Sequence, residues 1–167
     1  MIDTPWPVAA TLFVLAAALV ISAVTDLLRR TIYDAVTLPA LALELLLLAW
    51  AGGRGQLLSS IGGVALLWLP LFLGSFVDAA GGRLRIRWAP ERAVFGEGDA
   101  KLMAVAGAAA GWPSAVLVLV WVSLATGVQA ALALLWARLR GREKPVYVPM
   151  GLAIAAGTLL AWTVGVP

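Results

Sequence analysis

The chain contains no cysteine and no histidine. Those absences exclude disulfides, thiolate nucleophiles, imidazole or thiolate metal sites and every triad that moves a proton through histidine. Charge is scarce too: Asp, Glu, Lys and Arg make up 13% of the 167 residues, about half the share found in a soluble domain. Chemistry is left to Asp, Glu, Lys, Arg, Tyr, Ser or Thr, with no metal and no cofactor expected. Apolar residues fill the rest, at 62% of the chain, which is the composition of an integral membrane protein.

The apolar runs resolve into six expected spans, at 6–25, 35–51, 57–77, 99–112, 114–137 and 146–165. A spanning helix needs roughly 20 apolar residues, fewer where the bilayer thins. The fourth run is short, and Pro113 directly after it predicts a tight turn into the fifth. No basic residue precedes the first run, so MIDTPWPV leads into a span rather than a cleaved signal peptide.

Of the twelve basic residues, Arg29, Arg30, Arg83, Arg85, Arg87, Arg92, Lys101, Arg138, Arg140, Arg142 and Lys144 fall on one side of this topology, and Arg54 alone on the other. The positive-inside rule then puts three connections in the cytoplasm and both termini outside. Trp6, Trp50, Trp112 and Trp162 fall near the outer interface as an aromatic belt. The expected architecture is a single all-α domain over 1–167, a six-helix polytopic bundle in the cytoplasmic membrane with the lipid bilayer as its surroundings. The formal charge of +3 gives no reason to expect a nucleic-acid partner. In the one long connection, 78–98, the alternation RLRIRW predicts a short extended segment. It reads as a basic anchor for anionic headgroups or as a flap facing a substrate.

Topology also sorts the nine acids. Asp3 is outside; Asp78, Glu91 and Glu143 lie among cytoplasmic arginines. Asp26, Asp34, Glu97 and Asp99 gather near the cytoplasmic ends of spans one, two and four, and Glu44 stands alone in mid-span. Counted down from Trp112, Asp99 lies ~20 Å along its helix, and Asp26 ~28 Å from Pro7. An acid at membrane depth is by default a functional candidate. Two acids held close share one proton, which is what aspartic proteolysis needs: one carboxylate takes a proton from water while its partner donates to the carbonyl oxygen. Gly96 and Gly98 flank this chemistry by letting a helix or an extended backbone approach Asp99. Asp99 can also cap the start of its own helix. Lys101 favours a nearby carboxylate or anchors the helix at the headgroups. Gly107 and Gly111 read as a helix-packing face.

FGEGDAKL, residues 95–102, resembles the GxGDxKL segment of the type IV prepilin peptidases, membrane aspartic peptidases of the GxGD class. TDLLRRTIYDAVTLP, residues 25–39, is similar to the family's first-Asp segment, and KPVYVPMGLAIA, from Lys144, to the approach to its last span. The resemblance implies Asp26 and Asp99 as the catalytic pair, Gly96 and Gly98 as motif glycines with Lys101 beside them, and a prepilin-like substrate. That substrate carries a basic leader and a hydrophobic helix, and is cut at the cytoplasmic face. Tyr33 departs from the pattern, since the family usually has Pro there. The paired-cysteine segment tied to methylation has no counterpart in this sequence, so a peptidase-only form is expected. Two rivals remain. Tyr33-Asp34 with Asp99 resembles the presenilin and signal-peptide-peptidase arrangement, the alternative role for Asp34 being an N-cap. Glu44 would serve a small ion-coupled transporter, its alternative role being an interhelical hydrogen bond.

Overall fold

The computed structural model describes residues 6–81, 96–140 and 148–165. Within them every regular element is helical: α1 (Trp6–Arg29), α2 (Asp34–Gly81), α3 (Glu97–Ala110), α4 (Ala115–Leu139) and α5 (Met150–Val164). Three of these stretches, Pro7–Arg29, Asp34–Leu73 and Ala115–Leu139, are long and apolar enough to cross a membrane. The extended segment expected around RLRIRW lies outside the described residues.

Where six runs are expected, the second and third form one helix interrupted at Gly53, whose φ of 63° and ψ of −154° are non-helical. That backbone conformation is open to glycine and to few other residues. The packing of α3 shows what the interruption does. Gly107 of α3 lies against Gly63 of α2. Further on, the Trp112 N–H donates to the Ser59 carbonyl at 2.9 Å, and the Ser59 hydroxyl donates to the Trp112 carbonyl at 2.8 Å. The second arm of α2 therefore runs antiparallel to α3 and comes level with Lys101 roughly six residues after Gly63, near Leu69. Lys101 also holds Asp34, at the start of the first arm. A straight helix would separate residues 34 and 69 by ~52 Å. Both stand level with Lys101, so the chain doubles back at Gly53.

Helix α3 is the centre of the bundle. It packs on all four other helices, and Ala100 and every residue from Leu102 to Ala108 are buried. Its sequence, EGDAKLMAVAGAAA, is mostly small residues, which let backbones approach closely. The tightest contact is Gly63 on Gly107, where a Cβ on either glycine would collide with the carbonyl of the other. Gly111 shares the expected packing face, its Cα lying 3.1 Å from where a Cβ on Gly63 would stand. It follows the end of α3 with φ 67°, and its N–H donates to the Gly107 carbonyl at 2.9 Å. Gly157 makes the corresponding close contact between α5 and the Val122 backbone of α4.

The helix ends also differ from expectation. α1 continues through Asp26 to Arg29 and stops where Arg30 turns left-handed, φ 55°, with its N–H donating to the Asp26 carbonyl at 2.9 Å. This is the αL type of helix ending, here without a glycine. α3 starts at Glu97, two residues earlier than expected, and α5 at Met150, later than expected.

The Gly63–Gly107 contact predicts opposite signs for two similar substitutions. Gly107→Ala lowers stability by about 1–3 kcal/mol through overpacking. Gly127→Ala in α4, where an added Cβ meets nothing within 4 Å, gains up to ~1 kcal/mol of helix propensity. Thermal unfolding midpoints of the detergent-purified variants measure both.

Candidate active site

Asp26 lies on the last turn but one of α1 and is 3% exposed. A buried carboxylate needs hydrogen-bond donors. Its Oδ2 accepts the Gly151 N–H from the first turn of α5 at 2.7 Å. Gly151 is the second residue of that helix after the N-cap Pro149, so its N–H is one of those a helix start leaves without an internal partner. Asp26 thus caps a helix that begins more than a hundred residues downstream.

Asp99 is the third residue of α3, and Gly96 is the N-cap. Its Oδ2 accepts the Gly96 N–H at 3.0 Å, the reach-back half of a capping box. Gly98 sits against the connection between α1 and α2, where a Cβ would fall 2.8 Å from Ile32 Cβ and 3.2 Å from the Ile32 carbonyl. What approaches Asp99 through the missing side chain is therefore the chain's own 31–33 link. A Cβ on Gly96 would lie 3.3 Å from the Asp99 carboxylate. The end of α1 and the start of α3 are drawn together, and the Asp26 carboxylate comes close enough to Asp99 for the two charges to act on each other.

Asp34 is engaged elsewhere. Lys101 Nζ donates to both of its oxygens, at 2.7 and 2.8 Å, with Glu97 further off at 3.9 Å. Asp34 is the first helical residue of α2 rather than its N-cap; the Tyr33 carbonyl accepts the first helical N–H groups, from Val36 and Thr37. Of the two roles expected for Lys101, it takes the one beside a carboxylate, and the pair ties α2 to α3. Glu44 is fully buried and lies by Leu15 of α1, and neither carboxyl oxygen reaches a partner at hydrogen-bond distance and angle. No group of three or more potential metal ligands converges among the described residues.

The structure thus gathers Asp26, Asp99, Gly96, Gly98, Lys101 and Asp34 at one end of the bundle, opposite Gly53, and leaves Glu44 in its interior. Sequence reasoning leaves out three participants: Ile32, Gly151 and Gln129, whose Nε2 donates to the Pro149 carbonyl at 3.2 Å. The signal for Gly151 in the sequence is its place in the KPVYVPMGLAIA segment, two residues after Pro149.

A helical bundle that collects acids at one end without thiol or imidazole falls in the class of membrane-embedded carboxylate proteins. The type IV leader peptidase family matches residues 13–131, and the chain belongs to that family. It is a peptidase in this general sense, and a membrane protein. No curated protein and no solved structure gives a match to the chain.

Glu44 yields a test of its environment. An unpartnered buried carboxyl contributes nothing that an apolar group of similar size lacks. Glu44→Leu is expected to leave the unfolding midpoint unchanged or to raise it. A loss above ~2 kcal/mol would mean that the carboxyl has a bonding partner.

Proposed function

We propose that the protein is an aspartic endopeptidase that removes the leader of type IV pilin-like precursors at the cytoplasmic face of the membrane, with Asp26 and Asp99 as its catalytic pair. The observation that carries this reading is the placement of both carboxylates, from the end of α1 and the start of α3, at one end of the bundle, each accepting a glycine N–H. Family membership supports the substrate class. The doubling back of α2 at Gly53 supports six crossings, since its two arms count separately. With Arg29, Arg30, Arg138 and Arg140 at the acid end and Arg54 at the other, the positive-inside rule turns the acids toward the cytoplasm and leaves both termini outside.

The chemistry follows from two carboxyl groups and one shared proton. The ionised carboxylate takes a proton from water as the water oxygen bonds to the scissile carbonyl carbon, while the protonated partner donates to the carbonyl oxygen. The gem-diol intermediate then collapses: the acid that took the water proton gives it to the leaving nitrogen, the C–N bond breaks, and a gem-diol hydroxyl returns its proton to the other acid, so that the pair again holds one proton. Each carboxylate is oriented by one glycine N–H, Gly151 for Asp26 and Gly96 for Asp99. The precursor's apolar helix lies in the bilayer beside the bundle, with its leader on the cytoplasmic side. Asp34 is the weaker candidate for partner of Asp99, because both its oxygens are taken up by Lys101.

Cleavage of a model prepilin by purified protein in detergent tests this assignment. Asp26→Asn and Asp99→Asn each abolish leader removal, and Asp34→Asn retains it. An active Asp26→Asn beside a dead Asp34→Asn would transfer the role to Asp34. Rate against pH is expected to pass through a maximum whose two apparent values belong to the pair.

A further inference from the structure

We propose that the first turn of α5 is a third component of the acid centre, with Gly151 as the residue that positions Asp26. This rests on the reading of Asp26 and Asp99 as the catalytic pair. The two acids differ in how they are held. Asp99 is fixed within its own helix, because the Gly96 N–H that it accepts lies only three residues away. Asp26 projects from a helix that is ending, and the N–H that it accepts comes from 125 residues downstream. A 2.7 Å contact to a carboxylate at a helix start is a charge-assisted bond aligned with the helix dipole.

Both properties of glycine at 151 serve this contact. A Cβ there would lie 3.0 Å from Asp26 Cβ, 3.1 Å from its Oδ2 and 3.3 Å from the Ser22 carbonyl. A side chain there therefore requires Asp26 or one of the two helices to give by a few tenths of an ångström, which disturbs the N–H contact. The turn is also held from its other side, because Gln129 of α4 donates to the Pro149 carbonyl. A path of contacts from α4 through Pro149 and Gly151 thus ends on the Asp26 carboxylate. Catalysis depends on reacting groups being held to a fraction of an ångström, and a misplacement of about 1 Å costs on the order of a hundredfold in rate.

Two substitutions are compared, both adding bulk beside Asp26 and only one removing the N–H. Gly151→Pro removes the N–H at a position in the first helical turn where proline is tolerated. Gly151→Ala keeps the N–H and adds the methyl group. With a model prepilin, Gly151→Pro is expected to lower kcat on the order of a hundredfold with KM within about twofold, and Gly151→Ala to lower kcat less. An unchanged kcat in Gly151→Pro, or a loss confined to KM, overturns the proposal. Infrared spectra of protein with ¹³C-labelled aspartate supply a readout that does not depend on cleavage. The Asp26 carboxylate band, identified by its loss in Asp26→Asn, is expected to move in either Gly151 variant that folds, and an unmoved band overturns the proposal. Should wild-type protein leave the prepilin uncut, the peptidase assignment fails, and the infrared comparison still decides whether Gly151 holds Asp26.

Discussion

The contact between the Gly63 and Gly107 backbones fixes where α3 stands, and the acid end of the bundle is built outward from it. Inside lipid no hydrophobic force drives one apolar helix against another, so association relies on close van der Waals packing. With glycine on both sides the two backbones reach a distance that any side chain would forbid. Because α3 is then surrounded by the other four helices, its first turn has one place to be. Asp99, Lys101 and Gly98 are carried there with it, and the Ile32 link is packed under Gly98.

A carboxyl group buried among packed helices needs polar partners close by. The bundle meets that demand in two ways and leaves one acid without either. Asp26 and Asp99 take backbone N–H groups from the starts of α5 and α3. Asp34 takes a lysine from a helix that begins far along the chain. Glu44 takes neither. The acids with backbone donors are the two proposed as the catalytic pair, a division that follows from which helix starts reach that end of the molecule.

How much of this could be read from sequence varies with the range of the interaction responsible. The apolar runs and the basic connections are local, and the helical content follows from them. So does the weakness of the fourth run, which becomes the central helix α3. Helix ends are less legible. Arg30 stops α1 in a conformation that usually belongs to glycine, and Gly53 reverses α2 within a run, AGGRG, where other glycines could equally have served. Long-range partners are the least legible. From sequence alone Lys101 reads as a partner for a nearby carboxylate or as a headgroup anchor, and nothing near it in the chain announces that the carboxylate is Asp34, 67 residues away. Gly151 carries no polar side chain, so only the packing of α5 on α1 reveals its part.

The shortness of α5 has a consequence for how water reaches the acids. Fifteen residues span ~22 Å, against a hydrocarbon layer of about 30 Å, and the exposed Leu152, Leu159, Leu160 and Val164 turn this helix toward the acyl chains. Lipids beside such a helix shorten to match it, drawing the headgroup boundary inward along that flank. The helix begins at Asp26. On the proposed reading, a leaflet thinned along that flank would bring the headgroup boundary toward the end of the bundle where Asp26 lies buried, and would shorten the path of water to it from the side.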